Sequence, residues 1–356
     1  MSNVVLTGSA LSRLRELDSN SVQCIVTSPP YYGLRSYNAG DEEIGQEPTL
    51  QEFLSNLVEV FRECRRVLRK DGVCWVNMGD SYAGATTNNG GYSDKSTLAG
   101  FTHSNTKGRQ AHKATVPAKR SLGAFKPKDR MMVPARLAIA LQDDGWWLRD
   151  EIIWHKPNPM PSSVQDRTTP AHEMIYLLTK SAKYYYDAAA IRTEANQDSL
   201  ARYDRQSSYD GEKPYAMKQG PTGAKVPASS AFGGPNSGFR VKHCPNNSQP
   251  SEKPTDGQYE PIVGANCRSV WTFSTQGYPE AHFATYPEEL PKRCILAGSR
   301  EGDVVLDPFG GSGTTGAVAK QLGRKFVLIE LNPEYVGLIE KRLASVTPSL
   351  FAEAPL

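Results

Sequence analysis

Val304-Val305-Leu306-Asp307-Pro308-Phe309-Gly310-Gly311-Ser312-Gly313-Thr314-Thr315-Gly316 reads as a buried strand, a glycine-rich turn and the start of a helix. That helix runs on through Gln321, a strand Phe326-Val327-Leu328-Ile329 ends at Glu330, and a last helix spans Pro333 to Leu343. Strand, turn, helix and strand form the unit of a parallel α/β sheet. The pattern Gly311-x-Gly313-x-x-Gly316 lets backbone approach a ligand at a helix N-terminus. A phosphate-binding P-loop is excluded, because Thr314, Thr315 and Gly316 stand where Gly-Lys-Ser/Thr is required. A nicotinamide dinucleotide stays open, with Glu330 as the acid for its ribose. Asp307 at the strand end argues for S-adenosylmethionine instead, since a carboxylate attracts the positive α-amino group of that cofactor and repels a pyrophosphate.

A second chemical stretch lies near the other end of the chain. Val22-Gln23-Cys24-Ile25-Val26 leads as a strand into Thr27-Ser28-Pro29-Pro30-Tyr31, where open α/β sheets place their ligands. Two consecutive prolines fix φ and remove two backbone donors, leaving carbonyls that only accept. With the Ser28 oxygen and the Tyr31 face beside them, they suit a planar group bearing an NH2, such as a nucleobase. A Pro-rich turn closing a strand, with Tyr31 in the core, accounts for the same residues. Further strands are expected at residues 4–6, 73–77, 147–154 and 173–178, with Tyr184-Tyr185-Tyr186 as an edge. Helices are expected over residues 10–17, 50–68, 134–142 and 288–296, the second with apolar residues recurring at three and four.

A chain of 356 residues can bury a large core. No apolar run approaches the ~18 residues of a membrane span. The start, Met1-Ser2-Asn3-Val4, shows neither the basic region nor the apolar core of a signal peptide, so a cytoplasmic protein is expected. Six cysteines, at 24, 64, 74, 244, 267 and 294, form no CxxC pair or Cys/His cluster, so no zinc site or disulfide framework is expected. Nor is there a Pro-Cys dipeptide, the usual setting of the nucleophile in enzymes that methylate carbon 5 of cytosine; Cys244 precedes Pro245.

Charge is spread unevenly. Residues 101–130 hold eight Lys or Arg against Asp129, a net +7 in a chain of net +3, so the remainder carries −4. One basic segment on a mildly acidic body suggests a nucleic-acid contact; a solvated charge run is the plain alternative. Residues 191–268 are again polar, interleaving Arg202, Arg205 and Arg240 with Tyr203, Tyr209, Tyr215 and Phe239, as groove or single-strand contacts require. Their plain alternative is a disordered linker.

Together the two chemical stretches resemble the amino-methylating DNA methyltransferases of the β group, in which a TSPPY-type motif lies near the N-terminus and the cofactor motif near the C-terminus. The likeness covers the chain except its two polar insertions. It includes Gly8-Ser9-Ala10-Leu11, Thr27 to Tyr31, Val73 to Asn77, Trp147 to His155 with Asn158-Pro159-Met160-Pro161, His172-Glu173, His282 to Pro287, and Asp307 to Gly316 with Glu330.

The resemblance implies an α/β fold: a Rossmann-like, seven-stranded S-adenosylmethionine-dependent methyltransferase sheet with circularly permuted motif order, a reversed hairpin at its edge and polar DNA-recognition insertions. The catalytic half of that domain would span 1–80, a basic flexible insertion 81–129, the rest of the catalytic half 130–190, a target-recognition region 191–268, the cofactor-binding half 269–345 and a tail 346–356. Ser28 and the Pro29 carbonyl would accept hydrogen bonds from the target amine, with Pro30 completing the motif and Tyr31 stacking on a flipped base. Asp307, Phe309, Gly311, Gly313 and Thr314 would line the methionine end of S-adenosyl-L-methionine and Glu330 would hold its ribose, while Phe283, Thr285 and Pro287 close the pocket. Ser9 follows Gly8 where many relatives have Asp, the position that helps hold the adenine.

Lys107, Arg109, Lys113, Lys119, Arg120, Arg202, Arg205 and Arg240 would contact double-stranded DNA. Serine at the first motif position favours cytosine N4 over adenine N6. A homodimer and a cognate restriction endonuclease are the further partners that the resemblance admits. A nicotinamide-dependent dehydrogenase and a catalytically silent DNA-binding protein stand as alternatives from other classes.

Overall fold

Six consecutive buried residues, Val22–Thr27, form the strand β2 at the centre of the sheet. Burial at every position is what a strand covered on both faces shows: Val22, Cys24, Ile25 and Val26 are apolar, and the polar Gln23 and Thr27 are buried with them. The structure, a computed structural model, describes residues 3–33, 42–83, 123–193, 265–275 and 286–347. Its chain divides into two compact units, one of Met1–Arg192 with Asn266–Leu356 and one of Thr193–Ala265; the second lies almost wholly outside the described residues.

Among the described residues the sheet has eight strands: β1 (Val4–Thr7), β2, β3 (Leu68–Met78), β4 (Trp147–His155), β5 (His172–Thr179), β6 (Val270–Thr272), β7 (Val304–Asp307) and β8 (Lys325–Glu330). Their spatial order is β1-β8-β7-β2-β3-β5-β4-β6. All neighbours pair in parallel except at β5, which runs antiparallel to both β3 and β4. The seven strands read from the sequence are present, and β5 with β4 makes the reversed hairpin. The eighth, β6, was not expected: it is three residues long, only Trp271 of it is buried, and it adds itself to β4 at the register Trp154↔Trp271. Tyr184-Tyr185-Tyr186 forms no strand; Tyr185 N–H donates to Asp71 O at 2.8 Å, and the Tyr186 ring packs on Trp75.

Helices cover the two faces. On one lie α1 (Ala10–Arg15), α2 (Leu50–Val67) and α3 (Val133–Asp143), and on the other α4 (Glu289–Gly298), α5 (Thr314–Gln321) and α6 (Pro333–Ser345). The longest, α2, opens with a capping box in which Thr49 Oγ1 accepts the Glu52 N–H and the Glu52 carboxylate accepts the Thr49 N–H. Its buried stripe of Phe53, Leu57, Val60, Phe61 and Cys64 recurs at three and four residues and faces the sheet. The start of α3 is held by Asp80, whose Oδ1 accepts the Val133 N–H at 2.9 Å. Alternation along β3 divides the cores, Cys74, Val76 and Met78 facing the first helical layer and Val73 and Trp75 the second. Among the described residues no helix is long and apolar enough to cross a membrane.

The parallel register is what builds a site. β2 pairs with β7 through Ile25↔Leu306, so the Thr27 and Asp307 ends lie side by side although 280 residues separate them. β8 and β1 continue the row, Thr7 standing opposite Glu330. Both chemical stretches therefore leave the sheet at its carboxyl edge.

One packing contact tests this arrangement. Gly298, the last residue of α4, sits where an added Cβ would lie 2.5 Å from Val73 Cγ2 and 2.9 Å from Cys24 Sγ. Val73 is β-branched and stiff at χ1, so it cannot swing aside. Gly298→Val is expected to destabilise the fold toward the upper end of the roughly 1–3 kcal/mol typical of overpacking. Urea unfolding would show a lower midpoint at unchanged slope; an unshifted midpoint would refute the close approach of α4 to the sheet.

Candidate active site

A cavity of about 1000 Å³ opens at the carboxyl edge of the sheet. Ser28, Pro29, Pro30 and Tyr31 lie on its wall, as do Ser9, Phe309, Gly311, Thr314 and Glu330. The motif after β2 and the glycine turn after β7 thus share one space, of a size that holds ligands.

Asp307 is not on that wall. Its side chain is 1% exposed, and donors meet both of its oxygens: Thr27 Oγ1 at 2.7 Å and the Phe309 N–H at 3.1 Å on Oδ1, Thr315 Oγ1 at 2.7 Å and Tyr286 OH at 3.0 Å on Oδ2. This corrects the expectation that Asp307 itself lines the methionine end of a cofactor pocket. The physical reason is its depth: at the end of a strand with neighbours on both sides, the carboxylate is enclosed before it reaches the opening. Burial pushes its pKa up to about 6, against the four hydrogen bonds, which favour the charged form.

Two further residues also stand back from the wall. Gly313, at φ 76°, caps the start of α5 in the left-handed region that suits glycine, and a Cβ there would lie 3.0 Å from Ile339 Cγ2. Pro287 is buried beside Tyr286, which does reach the cavity. Phe283 and Thr285 lie outside the described residues. So do Lys107, Arg109, Lys113, Lys119, Arg120, Arg202, Arg205 and Arg240.

Glu330 ends β8 at the cavity. Its Oε2 accepts the Gly311 N–H at 2.7 Å and its Oε1 the Asn332 N–H at 2.9 Å, and burial raises its pKa. Each oxygen keeps a lone pair, so the carboxylate can still accept hydroxyl donors from the cavity side. Ser9 caps α1, its Oγ accepting the Ser12 N–H at 3.4 Å.

Tyr31 is fixed by groups whose roles went unread in the sequence. Its hydroxyl donates to Glu173 Oε2 at 2.8 Å, and Asn77 Nδ2 donates to the same oxygen at 2.9 Å. The Lys156 ammonium pairs with the other oxygen of Glu173. A Cβ on Gly79 would lie 2.7 Å from Tyr31 Cε2, so glycine is what lets the backbone close on the ring. Burial, then the Glu173 charge, pushes the phenol pKa well up and keeps it neutral. Asn77, Lys156 and Glu173 all line the cavity, whereas His155 points to Thr272, with Nδ1 and Oγ1 3.3 Å apart. Asn77 and Glu173 lie in segments that carry the family resemblance, but a place near a strand end says where a side chain starts and not what it meets.

Ser28, Pro29, the clamped Tyr31 ring and the glycine turn thus line one cavity. The sequence matches the DNA methylase family of N6 and N4 methyltransferases over residues 22–341. It is 42% identical over 338 residues to the type II methyltransferase M.Cfr9I of Citrobacter freundii, covering 94% of this chain and 86% of that protein. The fold is like that of the PvuII DNA methyltransferase (cytosine-N4-specific), with a TM-score of 0.55 at 18% identity over 96% of this chain and 86% of the other. It is also like a Thermus thermophilus protein described as a DNA modification methylase and solved in complex with S-adenosyl-L-methionine, with a TM-score of 0.52 at 21% identity over 98% and 96% of the two chains. A family match across nearly the whole chain, carried on this sheet and this cavity, means that the protein belongs to the DNA methylase family of N6 and N4 methyltransferases.

Proposed function

We propose that the protein transfers a methyl group from S-adenosyl-L-methionine to the exocyclic N4 amine of a cytosine flipped out of double-stranded DNA. The observation that carries this reading is the shared cavity, in which the acceptors Ser28 and Pro29 and the turn Phe309-Gly310-Gly311 form parts of one wall. Serine as the first residue of the motif supports cytosine over adenine within the family, and the fold likeness to a cytosine-N4-specific enzyme agrees with it.

The residues fit the cofactor. Phe309, Gly311 and Thr314 would hold its methionine end, Glu330 its ribose hydroxyls and Ser9 the region of its adenine, with Tyr286 closing the floor. Asp307 acts one layer beneath, fixing Thr27 next to Ser28 and the turn at Phe309. When bound, the cofactor supplies an electrophilic methyl group on a sulfonium.

An aromatic amine is a poor nucleophile because its lone pair is delocalised into the ring. Ser28 Oγ and the Pro29 carbonyl each accept a hydrogen bond from one N–H of the amine, drawing the nitrogen toward tetrahedral geometry and localising the lone pair; as the nitrogen takes the methyl group, one N–H proton is released to water. Tyr31, held through Glu173 and Asn77, offers its ring as a surface for the base. No covalent enzyme intermediate is needed; the gain comes from orientation and from acceptors placed where positive charge develops on nitrogen. The basic positions in 81–129 and 191–268 serve DNA contact in this reading, and a cognate endonuclease would be the natural partner of a type II enzyme.

Ser28→Ala should lower single-turnover methyl transfer on the order of 10²-fold, the scale seen when one preorganised hydrogen-bonding group is removed from an active site. Calorimetry should show S-adenosylmethionine bound as tightly as by the wild type. Lost cofactor binding with an unchanged rate for the bound enzyme would sink the role given to Ser28. Mass spectrometry of nucleosides from methylated DNA should find 4-methylcytosine; 6-methyladenine as the sole product would refute the choice of base.

A further inference from the structure

The loop that leaves β4 after His155 carries Pro159-Met160-Pro161, and Met160 is 87% exposed. A lone exposed methionine usually needs no explanation. This one sits on the mouth of the active-site cavity, together with Asn158 and both prolines.

The lip that bears it is braced. Asn158 Oδ1 accepts the Thr275 N–H at 3.0 Å, and Asn158 Nδ2 reaches the Thr275 carbonyl at 3.5 Å. One step below, Trp154 stacks on Phe273 with ring centroids 5.3 Å apart, and its Nε1 donates to the Phe273 carbonyl at 3.0 Å. Proline on both sides of Met160 fixes the φ of its two neighbours, and a residue before proline favours extended backbone. An apolar side chain is thus held in solvent by stiff backbone, next to the opening that would receive a base.

Extracting a base from a duplex leaves an apolar gap between the neighbouring pairs, and proteins that unstack DNA fill such gaps with residues such as Met, Leu or Phe. A methionine side chain is unbranched and polarisable, so it can slide between base faces. We propose that Met160 is the wedge: it enters the duplex at the step vacated by the target and holds that base in the cavity. This rests on the reading of the site as one that methylates a flipped base in duplex DNA. In this role Met160 is a positioning residue that acts on the duplex.

The test uses the full-length protein and two duplexes carrying the site that the wild type methylates. One is fully paired; the other has an abasic position opposite the target, so that extraction no longer breaks a base pair. Met160→Ala should lower methylation of the paired duplex by about ten-fold or more, Met160→Leu should retain most of it, and both should match the wild type on the abasic duplex. Unchanged S-adenosylmethionine binding by calorimetry shows that the variants are folded. Wild-type activity of Met160→Ala on the paired duplex, or an equal loss on both duplexes, overturns the wedge while the reading of the site stands. A wild type that transfers no methyl group to DNA overturns that reading, and the wedge with it.

Discussion

Removing a carboxylate from water costs several kcal/mol unless other donors replace its hydration. At Asp307 the replacements come from separate parts of the chain: Thr27 at the end of β2, Phe309 in the glycine turn, Thr315 in α5 and Tyr286 before α4. Each donor is needed by the same buried group, so the four segments are held in one geometry. The pairing of β2 with β7 brings the stretch that presents Ser28 beside the turn that presents Gly311, and the Asp307 side chain ties the two together beyond the strand ends.

A second, half-buried acid does comparable work on the other side of the cavity. Glu173, on the reversed strand β5, gathers Tyr31, Asn77 and Lys156 from three elements and thereby sets the orientation of the Tyr31 ring. Ser28 stands between the two networks, next to Thr27 in one and three residues before Tyr31 in the other. Rigidity at the motif thus comes from outside it, with the two prolines supplying the local part. Under the proposed function, this division is what acceptors that must be in place before the amine arrives require.

Most of the sheet was legible because its strands are short, predominantly apolar runs. Val22 to Val26, Val304 to Leu306 and Phe326 to Ile329 needed no context to be read as buried. β6 was not legible, since three residues with one buried tryptophan carry no period. The motif residues Ser28 to Tyr31 and the glycine turn reached the cavity because strand ends in such sheets point there. The pattern puts Asp307 at the end of its strand, but its partners come from the fold: Thr27 lies 280 positions away, a distance over which local pattern says nothing. Glu173 and Lys156 likewise gain their meaning from pairing across strands.

That Asp307 is an enclosed joint and not an open ligand for a cation has a direct thermodynamic signature. Its folded pKa is raised from 3.8 to about 6, so the protonated side chain contributes stability that is full below the unfolded value and is lost as pH rises through the folded one. The measurement is urea unfolding of the wild type and Asp307→Asn at about pH 5 and about pH 7.5, in the absence of cofactor. Over that interval the wild type should lose roughly 1.4 kcal/mol relative to the variant, the value of one pKa unit. A stability gap that stays constant, or one in which the wild type gains on the variant as pH rises, would contradict it, since those are the results of a solvated carboxylate and of one held ionised by a positive partner.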